Sequence, residues 1–571
     1  MSKHKSYVVL LNLSFLLASC ALSLILLFQP QQQPPLNLIL KSHSQTFGAA
    51  EKQGCKGLRG LEDHEAKCLY LKSKSPCVNQ GYVDYLYLFY CNFGAFPFLG
   101  YSLLILWLLV LFYLLGNTAS EYFCSSLESL SKLLNLSPTI AGVTLLSLGN
   151  GAPDVFASLV SFMGGGTSEI GFNTVLGGAS VISCVVVGVM AISLRNRCVK
   201  VNKSDFVRDV FFLLLVLLCL GVILVQKEID LWGAIIFFSI YAVYVIVVYV
   251  LHIRSKNVGV VDLDLSSSHE SGLSVPILIS IEKGEFNHRI VVEESGLLEL
   301  EETKRRLFCC GAFLSILELP LYLPRRLTIP VICEDKWSKV YAVASVTLAP
   351  LLLAAIGSHQ IESPGNWGVV FYAVALVLGI SFGVVAYLTT ESSSPPKRFA
   401  FPWLGAGFVM SVTWSYITAQ ELVGLLVSLA YIFGVNPSIL GLTVLAWGNS
   451  IGDLVTNMTM ALNGGPEGVQ IAFSGCYAGP IFNTLFGLGL SLIGYCWTKY
   501  PSAVTLPRDP YLLQTLAFLA AGLFWALLVL PRRDMRLDGV FGIGLLVIYI
   551  VSISLSLFQA FGSAQLLDLG V

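Results

Sequence analysis

The chain has 571 residues, 55% hydrophobic and only 12% charged, with a net charge of −1 and a mean hydropathy of +0.75. Soluble domains carry about 25% charged residues, so this is an integral membrane protein. Its apolar stretches run near 20 residues and are rich in Leu, Val, Ile and Phe with scattered Gly, which is helical-bundle composition, whereas a β-barrel would alternate in segments of about 10.

Lys3, His4 and Lys5 precede a continuous apolar run at 7–28. This reads as a signal peptide or, because the run exceeds the usual core of about 7–15 residues, a retained signal anchor. Residues 29–84 are Pro/Gln-rich at first and then carry Cys55, Cys68 and Cys77, with Cys91 just beyond. Four cysteines in a segment outside the cytosol predict one or two disulfides, whose pairing the sequence leaves open. No CxxC pair is present and the seven histidines lie outside the apolar spans or at their edges, so no structural metal and no histidine relay is expected.

Twelve membrane helices are predicted after that segment, at about 97–117, 138–162, 169–193, 206–226, 230–252, 339–357, 367–389, 402–424, 437–462, 469–494, 511–530 and 538–560. Arg195, Arg197, Lys200, Lys203, Arg208, Arg254, Lys256, the basic residues of 304–326, Lys397, Arg398, Arg532, Arg533 and Arg536 all fall on one side if the helices alternate. That side is cytosolic by the positive-inside rule, which puts the Cys-bearing loop and the C-terminus outside the cytosol. The polar connection 253–338 is then a cytosolic loop, and its acidic run from Asp262 to Glu302 reads as a solvated linker.

One phrase occurs twice. Leu136–Asp154 and Val435–Asp453 align at a shift of 299, which superimposes Pro138, Gly142, Thr144, Gly149, Asn150 and Asp154 on Pro437, Gly441, Thr443, Gly448, Asn449 and Asp453. Asn and Asp four apart share one helix face. A carboxylate at the bilayer centre costs about 2.5–3.5 kcal/mol on insertion scales, so an intramembrane Asp is functional by default. The charge-derived topology makes the two copies antiparallel, the pattern of inverted-repeat transporters with midplane sites. The expected architecture is therefore all-α: a first five-helix repeat at 85–252 (motif 136–193), an extra helical hairpin at 339–389 and a second repeat at 402–560 (motif 435–494).

The residues near each Asp are chemically uniform. Asn150 and Asn449 bring amides; Thr144, Thr443 and Ser450 bring hydroxyls; Gly149, Gly151, Pro153, Gly448 and Gly452 loosen the backbone so that carbonyls turn inward. This is the all-oxygen set of a hard cation, of which Ca²⁺ takes about 6–8 ligands, and it excludes zinc or copper as main substrate. Two carboxylates must be neutralised by a divalent ion, by monovalent ions or by protons. If only the neutralised site can turn over, loads are exchanged and do not leak.

Gly149-Asn-Gly-Ala-Pro-Asp154 and Gly448-Asn-Ser-Ile-Gly-Asp453 resemble the paired signatures of the cation/calcium exchanger branch of the calcium/cation antiporter superfamily, plant members above all. The resemblance implies a ten-helix inverted-repeat core, exchange of Ca²⁺, Na⁺ or K⁺ with H⁺ as a further counter-ion, and no cofactor; no retention or vacuolar signal is visible, which leaves the plasma membrane and a vacuolar or other endomembrane both open. It also implies site roles for Gly479 and Asn483 in Gly475-Cys-Tyr-Ala-Gly-Pro-Ile-Phe-Asn483. The first repeat has no matching Asn; Ser180 and Ser183 are its available polar groups and Asn173 lies too early. Two other classes share some of these features. A cation-sensing receptor could use the same site without flux. An intramembrane aspartyl protease also places two Asp on neighbouring helices, but Asp154 follows Pro where that family has Tyr, and a protease has no reason to repeat the phrase.

Overall fold

The computed structural model describes residues 58, 61, 63–72, 81–124, 126, 147–163, 168–197, 199–261, 320–332, 337–360, 367–392, 394–396, 400–463, 465–506 and 509–568. The apolar segment at 1–28, Cys55, Cys77, the helix expected from 138 to 146 with Thr144, and most of 253–338 lie outside the described residues.

Among the described residues twelve long helices follow one another, which we number α1 (Pro97–Phe123), α2 (Ser147–Met163), α3 (Ser168–Leu194), α4 (Lys203–Gln226), α5 (Leu231–Val261), α6 (Lys339–Gln360), α7 (Trp367–Thr389), α8 (Ala400–Phe433), α9 (Pro437–Asn463), α10 (Gly465–Lys499), α11 (Pro510–Arg532) and α12 (Gly539–Asp568). Eleven of them, among the described residues, are long and apolar enough to cross a membrane, and α2 contributes a shorter apolar stretch at Gly151–Met163. Their starts are written locally. Asn202, Asn436 and Asp509 each accept a hydrogen bond from the backbone two residues on, and Pro437 and Pro510 sit in the first turn, where the missing N–H has no intrahelical partner to lose. Gly434, at φ +72°, ends α8 in the left-handed conformation that glycine adopts without strain.

Residues 247–261 and 320–326 form part of a separate compact unit, helical in both described stretches. All contacts below lie within the other unit.

Burial sorts the helices by role. The apolar window of α3 is 89% buried and that of α10 72%, against 17% for α6 and 22% for α7. α3 and α10 are thus the centre, and α6–α7 a peripheral hairpin. The hairpin closes on itself: Gly379 and Gly383, four apart, leave room for the carbonyl and hydroxyl of Thr347.

Two backbone stitches join sequence-distant loops. Strand β1 (Glu228–Ile229) pairs antiparallel with β2 (Val504–Thr505), and the N–H of Leu506 donates to the carbonyl of Lys227 at 2.8 Å. Lys200 bridges Arg536, flanked by Val201 N–H to Met535 carbonyl at 3.0 Å and Leu537 N–H to Val199 carbonyl at 3.3 Å. These stitches sit at the two ends of α4. α3 finishes at one and α10 at the other, so those two helices run in opposite directions. The end holding 199–203 and 532–538 also gathers Arg195, Arg197, Lys200, Lys203, Arg532, Arg533 and Arg536, all exposed.

Both central helices carry a π-helical turn, Val181–Val186 in α3 and Asn483–Leu488 in α10, and α9 carries another at Gly441–Leu445. Such turns are frequent at functional sites, because they shift side-chain phase and weaken the hydrogen-bond ladder. α2 stays helical through Pro153, and the irregular turn of α9 lies just before Trp447-Gly448-Asn449.

Candidate cation site

Asp154 on α2 and Asp453 on α9 are both buried, at 2% and 8% exposure. Asp154 is clasped by two amides of the other repeat. Asn449 Nδ2 donates to Asp154 Oδ1 at 2.9 Å, and Asn483 Nδ2 donates to Oδ2 at 2.7 Å. Asn449 reaches it from the turn of α9 that precedes Asp453. Asn483 reaches it from the first residue of the π-helical turn in α10. Asp453 accepts no hydrogen bond among the described residues.

The clasp uses one N–H of each amide and leaves their oxygens idle. Asn449 Oδ1, Asn483 Oδ1 and Ser450 Oγ are buried with no hydrogen-bond partner. Such a group costs about 1–3 kcal/mol unless something satisfies it. Small residues let these oxygens converge. A Cβ at Gly178 on α3 would stand 3.3 Å from Asp154 Oδ2 and 3.6 Å from Ser450 Oγ. A Cβ at Gly151 would run into Asn483 Oδ1, and one at Gly448 into the ring of Phe112 on α1. The set offers hard oxygen donors. Among the described residues no group of three His, Cys, Asp or Glu could hold a metal, so amides and hydroxyls must supplement the two carboxylates.

The remaining candidates divide. Gly479 faces open space, with nothing within 4 Å of where its Cβ would be. The hydroxyls of Thr443, Ser180 and Ser183 donate back to their own helices, to Ile439, Leu176 and Ala179 carbonyls at 2.6, 2.9 and 2.6 Å. None of the three bonds to either carboxylate. The side chain of Asn150 and all of Thr144 lie outside the described residues. Asn173 is tied to Asp509 Oδ2 at 2.6 Å and to the Glu169 carbonyl at 2.9 Å, at the outset of α3.

Two polar residues escaped the reading of the sequence. Asn457 is buried one turn beyond Asp453, and a Cβ on Gly475 would lie 3.3 Å from its Oδ1. Continuing the Asn449–Asp453 step by four more residues would have found it. Glu421 on α8 is 7% exposed and accepts from the N–H of Tyr82 and the hydroxyl of Tyr85. A single acid in a mostly apolar helix gave no pattern to follow.

Comparison with known proteins fits this chemistry. A family model described as sodium/calcium exchanger protein matches residues 104–250 and 403–558. Cation/calcium exchanger 2 of Arabidopsis thaliana is 56% identical over 521 residues, covering 90% of this chain and 92% of that one. Cation/calcium exchanger 1 of the same plant is 48% identical over 557 residues, covering 96% and 97%. The mitochondrial sodium/calcium exchanger protein of Rattus norvegicus is 31% identical over 546 residues, covering 90% and 91%.

Proposed function

The chain belongs to the sodium/calcium exchanger family, and we propose that it exchanges Ca²⁺ against Na⁺, K⁺ or H⁺ at a midplane site built on Asp154 and Asp453. It is a multi-pass membrane cation antiporter, a secondary transporter and not an enzyme. The observation that carries the site is the company kept by the two buried carboxylates: three buried oxygens, of Asn449, Asn483 and Ser450, without a hydrogen donor. Oxygens starved of donors around negative charge are what a hard cation satisfies.

The clasp gives the site two states. Without a cation, the Asn449 and Asn483 N–H groups offset part of the Asp154 charge. A cation offers more, but only if the amides turn their oxygens towards it and release Asp154. Among the described residues, Asp453 has no partner to give up first. Because an uncompensated buried charge costs several kcal/mol, a site that empties on one face must be refilled before it crosses, and this makes the cycle an exchange. The opposed directions of α3 and α10 support an inverted repeat, 85–252 against 402–560. The cations gathered at the end holding 199–203 and 532–538 support a cytosolic placement of that end.

Purified full-length protein in liposomes tests the reading. Radiolabelled Ca²⁺ should enter against an outward Na⁺ or K⁺ gradient, and competition among Na⁺, K⁺ and H⁺ on both faces would rank the counter-ions. Undiminished exchange by Asp154→Asn or Asp453→Asn would sink the site.

A further inference from the structure

The stretch 81–92, just before α1, is built into the membrane bundle. Asp84 accepts from the N–H of Tyr87 and opens a short turn, and a π-helical turn follows at Leu88–Asn92. Cys91 in that turn is disulfide-bonded to Cys68 on the helix His64–Lys72, which fixes one pairing the sequence left open. The stapled strap then touches α1 and α8 at two levels.

At the first level Glu421 of α8 accepts from Tyr82 N–H and Tyr85 hydroxyl, and Trp107 Nε1 of α1 donates to the same Tyr85 oxygen at 3.0 Å. Gly81 fits this approach closely, since a Cβ there would lie 2.9 Å from Glu421 Oε1. Burial, and then the negative charge of Glu421, hold the Tyr85 hydroxyl well above its ordinary pKa, so it stays a donor. At the second level Phe89 packs on Tyr101 of α1 at 4.8 Å between ring centres, and Tyr101 stacks on Phe433 of α8 at 5.6 Å.

α1 and α8 pack against the helices that carry the cation site. Phe112 of α1 covers Gly448, the neighbour of Asn449. Leu422, Leu425 and Leu426 of α8 share one apolar cluster with Ala152, Phe156 and Ala157, which flank Asp154, and the strap's Tyr85, Leu86, Phe89 and Tyr90 belong to the same cluster. Trp107 lies five residues from Phe112, about 7.5 Å of helix rise. The strap is therefore mechanically continuous with the packing around Asp154. Apolar side chains alone could fill this space. A buried carboxylate is instead costly unless fully bonded, and its hydrogen bonds make an attachment that can be released and remade.

The geometry points to Glu421 as a positioning residue for transport: it seats the disulfide-stapled strap across α1 and α8 and so sets how readily cations reach Asp154 and Asp453 from the strap's face of the membrane. The inference rests on the exchange reading above. Its signature is one-sided, because among the described residues the strap is held to α1 and α8 through Trp107, Tyr101, Glu421 and Phe433 and not through the site itself.

The test uses the full chain in liposomes, with Ca²⁺ exchange measured separately from each face. Glu421→Leu should shift the half-saturating Ca²⁺ concentration on the strap's face by about tenfold, the scale of one hydrogen bond to a charged group, and leave the opposite face unchanged. Glu421→Gln keeps an acceptor and should restore most of the wild-type value. Should Glu421→Leu fail to reach the membrane, Tyr85→Phe, which removes only a hydroxyl, is read the same way. A second readout needs no flux: Ser450→Cys should be labelled faster by an impermeant thiol reagent from the strap's face when combined with either variant. Equal shifts on both faces, or reduced maximal flux with unchanged half-saturation and unchanged labelling, would make Glu421 merely structural. Absence of exchange by the unaltered protein would defeat the exchange reading, while the labelling rate would still decide on the strap.

Discussion

Asp154 and Asp453 occupy equivalent places in a repeated phrase, yet their surroundings differ. Asp154 is held by amides of Asn449 and Asn483, both from the second repeat. Asp453 has no such partner among the described residues: the first repeat offers no Asn at the place of Asn483, and Ser183, one of its available polar groups, turns back onto Ala179. Among the described residues, the duplicated phrase thus yields one clasped carboxylate and one without a clasp. Sequence symmetry gives the charge count, and under the proposed exchange the departure from symmetry would set which carboxylate a cation engages first.

The comparison can be broken most severely at the carboxylates. Asp154→Asn and Asp453→Asn should each reduce exchange by about a hundredfold or more, since the charge that recruits the cation is lost. Only Asp154→Asn should also lower thermal stability, by about 1–3 kcal/mol, because it leaves two amide donors competing for one acceptor. Equal melting of the two variants would show that the guard is energetically idle. Next comes Asn483→Ala, which removes a donor to Asp154 and an idle oxygen together. It should raise half-saturating Ca²⁺ by about twentyfold on the scale of a hydrogen bond to a charged group.

Gly151→Ala sharpens the same point from the other side of the contact. Its methyl must displace Asn483, and overpacking of this kind should weaken Ca²⁺ by about fivefold. The smallest effect belongs to Ser180→Ala with Ser183→Ala, whose hydroxyls already serve their own helix. Exchange within about twofold of wild type is expected for groups worth so little elsewhere, and a larger loss would return them to the cation site.

Much of this was legible in the sequence. Charge in the loops and hydropathy fixed the sequence and approximate ends of the helices, although α8 runs to Phe433, well beyond the expected 424. At 34 residues it extends about 51 Å, more than a bilayer core of about 30 Å requires, and hydropathy alone does not register the excess. Asp154, Asp453 and Asn449 stood out because a repeat makes isolated polar residues recur, Ser450 as an extra hydroxyl beside Asn449 in the second copy alone, and Asn483 only through the family resemblance. The π-helical turns were not visible, since no residue type marks a ladder slipped by one place. Nor was the inward turn of Thr443, Ser180 and Ser183, because a hydroxyl in a membrane helix has its own carbonyl within reach at every position. Glu421 was hidden for the opposite reason: its partners, Tyr82 and Tyr85, lie more than 300 residues away.

The two stitches at the ends of α4 have a further meaning. Residues 227–229 and 504–506 satisfy one another's backbone groups, as do 199–201 and 535–537. Cut within 262–319, the chain would give two fragments, each presenting unpaired edges that the other completes and each holding one carboxylate of a pair. Co-expressed, such fragments should find one another in the bilayer; expressed singly, neither has a site to fill. The protein is in effect an obligate heterodimer written as one polypeptide.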